Sequence, residues 1–348
     1  MRRWGWAFAL GIAVVIVLMA GAVVGTRTGR YVAGAARAEA GILRRRRPIA
    51  EVMEDAAVDA RTKAMLGLVL AVRRFAAESL SLDVGHSYLT YSTVPSDTLV
   101  MVLTGARRDK LVRVTWWYPI IGRVPYQGFF DRGDAERERA RLALLGLDVE
   151  LRPAAAFSTL GWFDDALMSP TLAGDSAGVA ETVLHELLHN TYFVPGDVAF
   201  NESLANFVGH RGAQAFFSLR RDSANAVTVR DRWRDEIQLG AFWTRYGVQL
   251  DSAFRQHPAD SFARLAARET LEARARVNLR DAVAPRLLVP RPAGWADEVA
   301  LGNNAVLSKS LYRTGLHGFD AALFVSKGDI RTAIRRIIEV DKKGREAR

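Results

Sequence analysis

The pentapeptide at residues 185–189, His-Glu-Leu-Leu-His, restricts what this chain can form more than any other part of it. On a helix, His185 and His189 project from one face, one turn apart, so a ring nitrogen of each can bind the same ion at about 2.0–2.1 Å. Glu186 is rotated off that axis by one residue's turn, and its carboxylate therefore lies beside the open position of the ion. The pattern predicts half of a tetrahedral zinc site, with Glu186 as a general base and not as a ligand.

A catalytic zinc ion needs a third protein ligand and one free coordination position. Glu202, thirteen residues after His189, is the nearest candidate, and Pro195-Gly196 supplies turn residues for the connection. Glu181 precedes His185 by four residues, so helical geometry directs its carboxylate one turn toward the N-terminus. We therefore predict that His185, His189 and Glu202 bind zinc. The alternative is an amphipathic helix on which two histidines and a glutamate only satisfy one another.

The sequence before the motif favours a helix at this place. Asp175 or Ser176 can cap its N-terminus. An apolar face follows at helical spacing, formed by Val179, Val183, Leu187 and Leu188. The other histidines have no partner at ligand spacing, and we expect surface or hydrogen-bonded side chains at His86, His210, His257 and His317.

Four blocks of sequence also carry a family resemblance: VPYQGFFD at 124–131, STLGWFDD at 158–165, HELLH at 185–189 and GDVAFNES at 196–203. In order and spacing they resemble the bacterial family of predicted aminopeptidases, which are zinc-dependent, gluzincin-like proteins. The resemblance runs from residues 46–49 through Asn303-Asn304-Ala305 and beyond, which is most of the chain after the first 45 residues. It implies zinc at His185, His189 and Glu202 and hydrolysis of peptide bonds. Family members often carry a lipidated cysteine and a cysteine pair, both of which are excluded here because the chain has no cysteine.

Three further parts of the sequence are candidates for the site, and each also has a purely structural interpretation. Gluzincins commonly stabilise the oxyanion with a Tyr or His from the lower lobe, and Tyr312 is the candidate here; the alternative is a tyrosine packed between helices. Asn206, one turn beyond Glu202, can accept a hydrogen bond from a zinc-bound imidazole or can face solvent. The segment from Phe157 to Asp165 either pairs with an extended peptide or forms a structural turn.

The charge distribution argues against a nucleic-acid-binding protein. Residues 1–47 hold nine Arg and one Glu, a net +8 of the total +10, so the remaining 301 residues carry only +2. The stretch from Trp4 to Gly25 has 22 residues without charge and is long enough to cross about 30 Å of hydrocarbon. We predict a transmembrane signal anchor at 1–26, a basic stalk at 27–47 and a catalytic domain at 48–348. A cleaved signal peptide, ending at Ala20-Gly21-Ala22, is the alternative.

The orientation of this anchor is argued from two sides. Seven arginines after the apolar stretch outnumber the two before it, which favours a cytoplasmic enzyme by the positive-inside rule. The resemblance to exported proteins favours the opposite side. We expect a single-pass protein of the bacterial inner membrane with its catalytic domain in the periplasm.

The pattern along the catalytic domain predicts an α+β, zincin-like fold. One or two helices occupy 49–79, strands follow at Thr98–Thr104 and Leu111–Trp117 with a turn at 107–110, and a helix runs from Gly133 to near Gly146. A third strand at Asp148–Arg152 precedes the motif helix and completes an upper lobe. The chain from about 200 onward forms a mainly helical lower lobe, with the cleft between the lobes.

These observations predict a membrane-anchored zinc peptidase that acts on a peptide or protein substrate, with aminopeptidase action implied by the resemblance. Two alternatives stay open: a zinc endopeptidase acting on envelope proteins, and a non-catalytic membrane-anchored binding or scaffold protein. No motif for holding a free N-terminal ammonium group is recognisable, so the first is not excluded. The intact set of His185, Glu186, His189 and Glu202 argues against the second.

Overall fold

The computed structural model describes residues 44–94, 100–118, 122–154 and 166–347, together with Gly34 and Gly41. The predicted anchor at 1–26, most of the basic stalk and the segment from Phe157 to Asp165 lie outside the described residues. Within the described ranges, no helix combines the length and the apolar character needed to cross a membrane.

The described strands form three small sheets. In the first, β2 (Thr90–Ser92) pairs antiparallel with β1 (Arg47–Pro48) and parallel with β8 (Leu167–Met168). In the second, β3 (Val100–Arg107) lies between β6 (Gln127–Phe129) and β7 (Leu147–Ala154), antiparallel to both. The third is a ribbon of β4 (Trp116–Tyr118) and β5 (Gly122–Val124).

Helices account for most of the remaining described chain. In order they are α1 (Ile49–Glu54), α2 (Ala60–Glu78), α3 (Arg132–Leu144), α4 (Ser176–Thr191), α5 (Val198–Leu219), α6 (Ser223–Gln256), α7 (Ser261–Asn278), α8 (Trp295–Glu298), α9 (Asn303–Leu311), α10 (Leu316–Val325) and α11 (Ile330–Glu346). Short 3-10 turns at Ser169–Ala173 and Ala284–Arg286, and a π turn at Leu279–Val283, join some of them.

The main hydrophobic core surrounds α4. The predicted apolar face of that helix, Val179, Val183, Leu187 and Leu188, is buried together with side chains of α2, α5, α10 and α11. A second core joins α6 to α7, α8 and α9. The motif helix is therefore enclosed on its apolar side, and its opposite side is left to polar side chains.

Strand β7 has two chemically different faces. Its odd-numbered residues Leu147, Val149 and Leu151 pack with Leu142 of α3 in a small core, whereas the even-numbered positions are Asp148, Glu150 and Arg152. Because side chains alternate along a strand, these three charged residues share the face that points away from α3.

The structure confirms a mixed fold of helices and small sheets, and the chain from Val198 onward is helical wherever it forms regular elements. The helices predicted at 49–79 and 133–146 are α1, α2 and α3, and the strand at 148–152 lies within β7. The zincin-like assignment stays a prediction.

The predicted strand at Leu111–Trp117 is wrong for most of its length. Only Trp116 and Trp117 belong to a strand, and the hairpin with β3 is reduced to one bridge between Ala106 and Arg113. Strands β6 and β7 take the two edges of β3, so a long hairpin has no edge to join. The Arg113 guanidinium instead donates to the carbonyl oxygen of Leu307, at 2.6 Å.

Candidate metal site

Helix α4 carries the histidine motif in its last turns. The Asp175 carboxylate caps the N-terminus by accepting a hydrogen bond from the backbone N–H of Gly178 at 2.8 Å, as predicted for one of the two candidate caps. The helix ends at Thr191, so His185 and His189 lie near its C-terminal end. Leu187 and Leu188 are buried between them, which fixes the rotation of the helix and with it the direction of both imidazoles.

A short loop then returns the chain, and α5 presents Glu202 to the imidazoles. The amide of Asn201 closes this loop by accepting from the N–H of Val194 at 2.9 Å and donating to its carbonyl at 2.8 Å. Gly196 has a φ of +83°, a conformation that glycine adopts without steric cost. The residue before the predicted ligand is therefore a loop clamp, a role that the sequence pattern did not reveal.

Close contact between α4 and α5 depends on glycine. A Cβ atom at Gly209 would lie 2.8 Å from the carbonyl oxygen of Glu181, and one at Gly212 would lie 3.1 Å from the Leu184 side chain. The two glycines are three residues apart and face α4 together, so the helix axes approach more closely than bulkier residues allow. Their spacing in the sequence is a signal for close helix packing.

The donor atoms of His185, His189 and Glu202 converge, all within 4.8 Å of one another. Nε2 of His185 lies 3.4 Å from Oε2 of Glu202, and Nε2 of His189 lies 3.8 Å from Oε1. Ligand atoms placed about 2.1 Å from a tetrahedral ion are about 3.4 Å apart. The observed distances match that separation and exceed an ordinary hydrogen bond of about 2.9 Å, so the donor set fits a zinc ion.

The protonation of these groups suits a cation. Burial raises the pKa of Glu202, but its interactions with His185, His189 and the Tyr312 hydroxyl outweigh this and lower the pKa below the ordinary value. Burial and the charge of His185 lower the pKa of His189 to about 4. At neutral pH Glu202 is therefore ionised and His189 is neutral, with a lone pair free for a metal.

His185 holds a proton more strongly than an ordinary histidine. Burial lowers its pKa, but its contact with Glu202 and the negative charges of Glu186 and Glu202 outweigh burial and raise the pKa above the ordinary value. A metal ion that binds here competes with protons for His185, which makes its affinity dependent on pH.

Tyr312 and Glu186 lie beside this donor set. The Tyr312 ring centroid is 6.4 Å from that of His185, and its hydroxyl interacts with the Glu202 carboxylate and helps to lower the pKa of that group. Burial, followed by the charge of Glu202, raises the pKa of Tyr312 above its ordinary value. The charge of Glu186 acts on both Tyr312 and His185 and helps to raise the pKa of each.

Both predicted roles of Asn206 are wrong. Its amide nitrogen donates to the backbone carbonyl of Tyr312 at 3.1 Å and lies 3.4 Å from Glu236. The hydroxyl of Ser203 holds the same segment, since it donates to the Leu311 carbonyl at 2.9 Å and accepts from Thr314 N–H at 2.9 Å. One face of α5 thus fixes the backbone around Tyr312, because Ser203 and Asn206 are three residues apart on a helix.

Glu181 lies apart from the donor set, in the direction that helical geometry predicts. Its carboxylate is 3.0 Å from Nδ1 of His210 and accepts from Arg232 at 3.0 Å. His210 is therefore a hydrogen-bonded histidine, as expected, and His317 is exposed.

Comparison with known proteins adds the family. A protein-family model described as "Putative aminopeptidase" matches residues 30–348. Neither the curated proteins nor the solved structures offer a match to the chain. Because the matched region spans nearly the whole sequence and includes every residue of the site, the chain belongs to the family described as "Putative aminopeptidase".

Proposed function

We propose that this protein is a zinc-dependent peptidase in which His185, His189 and Glu202 hold the metal and Glu186 is the general base. The observation that carries the proposal is the convergence of two imidazole nitrogens and one carboxylate within 4.8 Å, next to a second carboxylate on the same helix. Family membership independently supports hydrolysis of peptide bonds.

Zinc, when bound, supplies a Lewis acid that polarises the scissile carbonyl and makes water more acidic. Glu186 accepts the proton of the attacking water and passes it to the nitrogen of the leaving amine. Glu202, held by the loop clamp of Asn201, keeps its charge next to the two imidazoles. Tyr312 donates its hydroxyl hydrogen to the carbonyl oxygen as negative charge develops there.

Family membership favours aminopeptidase action. One observation favours the alternative, an endopeptidase. A free N-terminal ammonium group is held best by a carboxylate without another cationic partner. Glu236, close to the Tyr312 segment, is paired with Arg313 at 2.7 Å. Membrane anchoring and a periplasmic catalytic domain stay predictions from the sequence.

The test uses the full chain, purified in detergent without chelators. We expect about one zinc per chain, since three protein ligands with an open position form a catalytic site. Glu186→Gln should keep the zinc and lose about 10²–10⁴-fold in kcat, because it removes a proton acceptor and no ligand. Peptides with free and with acetylated N-termini separate exopeptidase from endopeptidase action.

A Glu186→Gln protein that digests peptides at the wild-type rate would contradict the general-base role. Absence of zinc that is not restored by added zinc would contradict the metal site itself.

A further inference from the structure

Helix α9 lies along the charged face of β7. At the start of the helix, the N–H of Asn303 donates to Oδ2 of Asp148 at 2.8 Å, and Arg268 bonds the same carboxylate at 3.1 Å. The side-chain amide of Asn304 adds a hydrogen bond of 3.0 Å to the Thr104 hydroxyl on β3. The N-terminus of α9 is therefore pinned to the first residues of β7.

From this point helix α9 and strand β7 run in the same direction and cover equal distances. Four residues of strand, from Asp148 to Arg152, rise about 13 Å, and nine residues of helix, from Asn303 to Tyr312, rise the same distance. The charge of Glu150, midway along the strand, acts on Lys309 of α9, which agrees with this alignment. The register that begins at Asp148 and Asn303 thus ends with Arg152 beside Tyr312.

The hydrogen bonds at this end have a fixed direction. Arg152, brought to Tyr312 by this register, acts on the hydroxyl first through its charge and second as a hydrogen-bond partner. A guanidinium group can only donate, so the Tyr312 oxygen accepts. The phenolic hydrogen is then left to point to another acceptor, and Glu202 is the carboxylate whose charge acts most strongly on Tyr312. Arg152 thereby turns the Tyr312 hydroxyl toward the candidate metal site as a donor.

We propose that Arg152 is a positioning residue for the peptidase reaction, which acts through Tyr312 by holding its hydroxyl as a hydrogen-bond donor toward the reacting carbonyl. This inference rests on the proposed function and extends it to a residue of the sheet. The parallel run of α9 and β7, set by Asp148 and Asn303, is what brings the arginine to the site.

A double-mutant cycle tests the inference. Arg152→Ala should lower kcat about 10–100-fold, the range for loss of a group that orients another, with KM changed less than about 2-fold. Tyr312→Phe should cost about 10²–10³-fold, as for loss of one oxyanion donor. The double variant should be no slower than Tyr312→Phe alone, because Arg152 has no hydroxyl left to orient. Arg152→Lys should recover part of the rate.

Arg108→Ala is the matched control. Arg108 lies 3.6 Å from Asp148, at the pinned end of the same helix and strand. Its loss leaves the bonds from Asn303 and Arg268 to Asp148 in place and removes no contact of Tyr312. We expect wild-type kcat and zinc content for this variant. Zinc content and thermal unfolding of each variant show that it is folded.

Equal rates for Arg152→Ala and the wild type, or a double variant whose losses multiply, would overturn the inference. Neither result affects the proposed function, whose own test is loss of turnover in Glu186→Gln with zinc retained.

Discussion

Helices α4 and α5 are joined at two places by a histidine next to a glutamate. In one contact α4 supplies Glu181 and α5 supplies His210, with 3.0 Å between Oε1 and Nδ1. In the other the helices exchange roles: α4 supplies His185 and His189, and α5 supplies Glu202. The two contacts have the same residue types and comparable burial, yet their chemistry differs.

The difference lies in the cation that accompanies each carboxylate. Arg232 donates to Glu181 at 3.0 Å and also to Asp175 at 2.6 Å, so the first contact already contains its positive charge. Glu202 has only imidazoles as ion-pair partners in the described part of the chain, and one of them, His189, is neutral at physiological pH. A carboxylate that is already paired with an arginine gains little from binding a metal ion. A carboxylate that faces two buried imidazoles gains more.

The largest difference between the two contacts is expected in zinc content, when a histidine is removed from each. His185→Ala and His189→Ala should each lower the zinc content from about one per chain to near zero, because two ligands and an open position do not hold the metal. His210→Ala should keep its zinc, since it removes only the partner of Glu181. Metal analysis after dialysis against zinc-free buffer measures all three.

The comparison would fail if His210→Ala lost its zinc together with the other two. The second contact would then be part of the metal site, and the exclusion of Glu181 from the ligand set would be wrong.

The next largest difference between the two contacts is expected in zinc affinity, when the glutamate is removed from each. Glu202→Ala should weaken zinc binding by more than the roughly 10–100-fold that loss of an outer partner costs, because it deletes a ligand. Glu181→Ala should keep zinc affinity but lower the free energy of unfolding by about 1–3 kcal/mol, since Arg232 and His210 lose a partly buried acceptor. A zinc titration with a competing chelator and urea unfolding separate the two effects.

Equal losses of zinc affinity in Glu202→Ala and Glu181→Ala would refute the ligand assignment. A Glu181→Ala protein as stable as the wild type would show that its contacts contribute no net stability.

The predictable part of this molecule is what local periodicity encodes. Two histidines at helical spacing, a cap at Asp175 and an apolar face sufficed to place α4 and its motif correctly. The alternation of Asp148 to Arg152 likewise predicted a strand. In each case the signal lies within about ten residues, where the geometry of a helix or strand fixes the directions of the side chains.

The parts that were missed depend on contacts between distant segments. The spacing of Gly209 and Gly212 indicates close helix packing but does not identify α4 as the partner. The sequence around Arg152 likewise does not indicate that Tyr312 will lie beside it. Leu111–Trp117 has a strand-like composition, but β6 and β7, which come later in the chain, take both edges of β3. The position of Asn206, one turn beyond Glu202, suggests either a partner for a zinc-bound imidazole or a solvent-facing side chain, whereas its amide donates to the Tyr312 carbonyl, 106 residues away.

The smallest expected effect concerns the cap of α4, which belongs to the arginine-containing contact. Burial raises the pKa of Asp175, but hydrogen bonds from Arg232 and from the Gly178 backbone outweigh it and lower the pKa below the ordinary 3.8. A carboxylate with a lowered pKa in the folded state stabilises the protein above its unfolded pKa, and this stability is lost as the pH falls through the folded pKa. Asp175→Asn keeps a capping oxygen but removes the charge. At pH 7 the variant should be less stable by about 0.5 kcal/mol, the usual size for an exposed ion pair.

Urea unfolding of the zinc-free proteins between pH 7 and pH 3 measures this difference in the free energy of unfolding. The difference should be constant down to about pH 4 and become smaller below it, because Asp175 becomes protonated and the wild type loses the stabilising charge. His185, His189 and Glu202 titrate in both proteins and cancel in the comparison, and the zinc content of the two proteins at pH 7 should be equal. A stability difference that persists unchanged at pH 3 would mean that the charge of Asp175 does not cause it, and that Arg232 stabilises this contact through Glu181 alone.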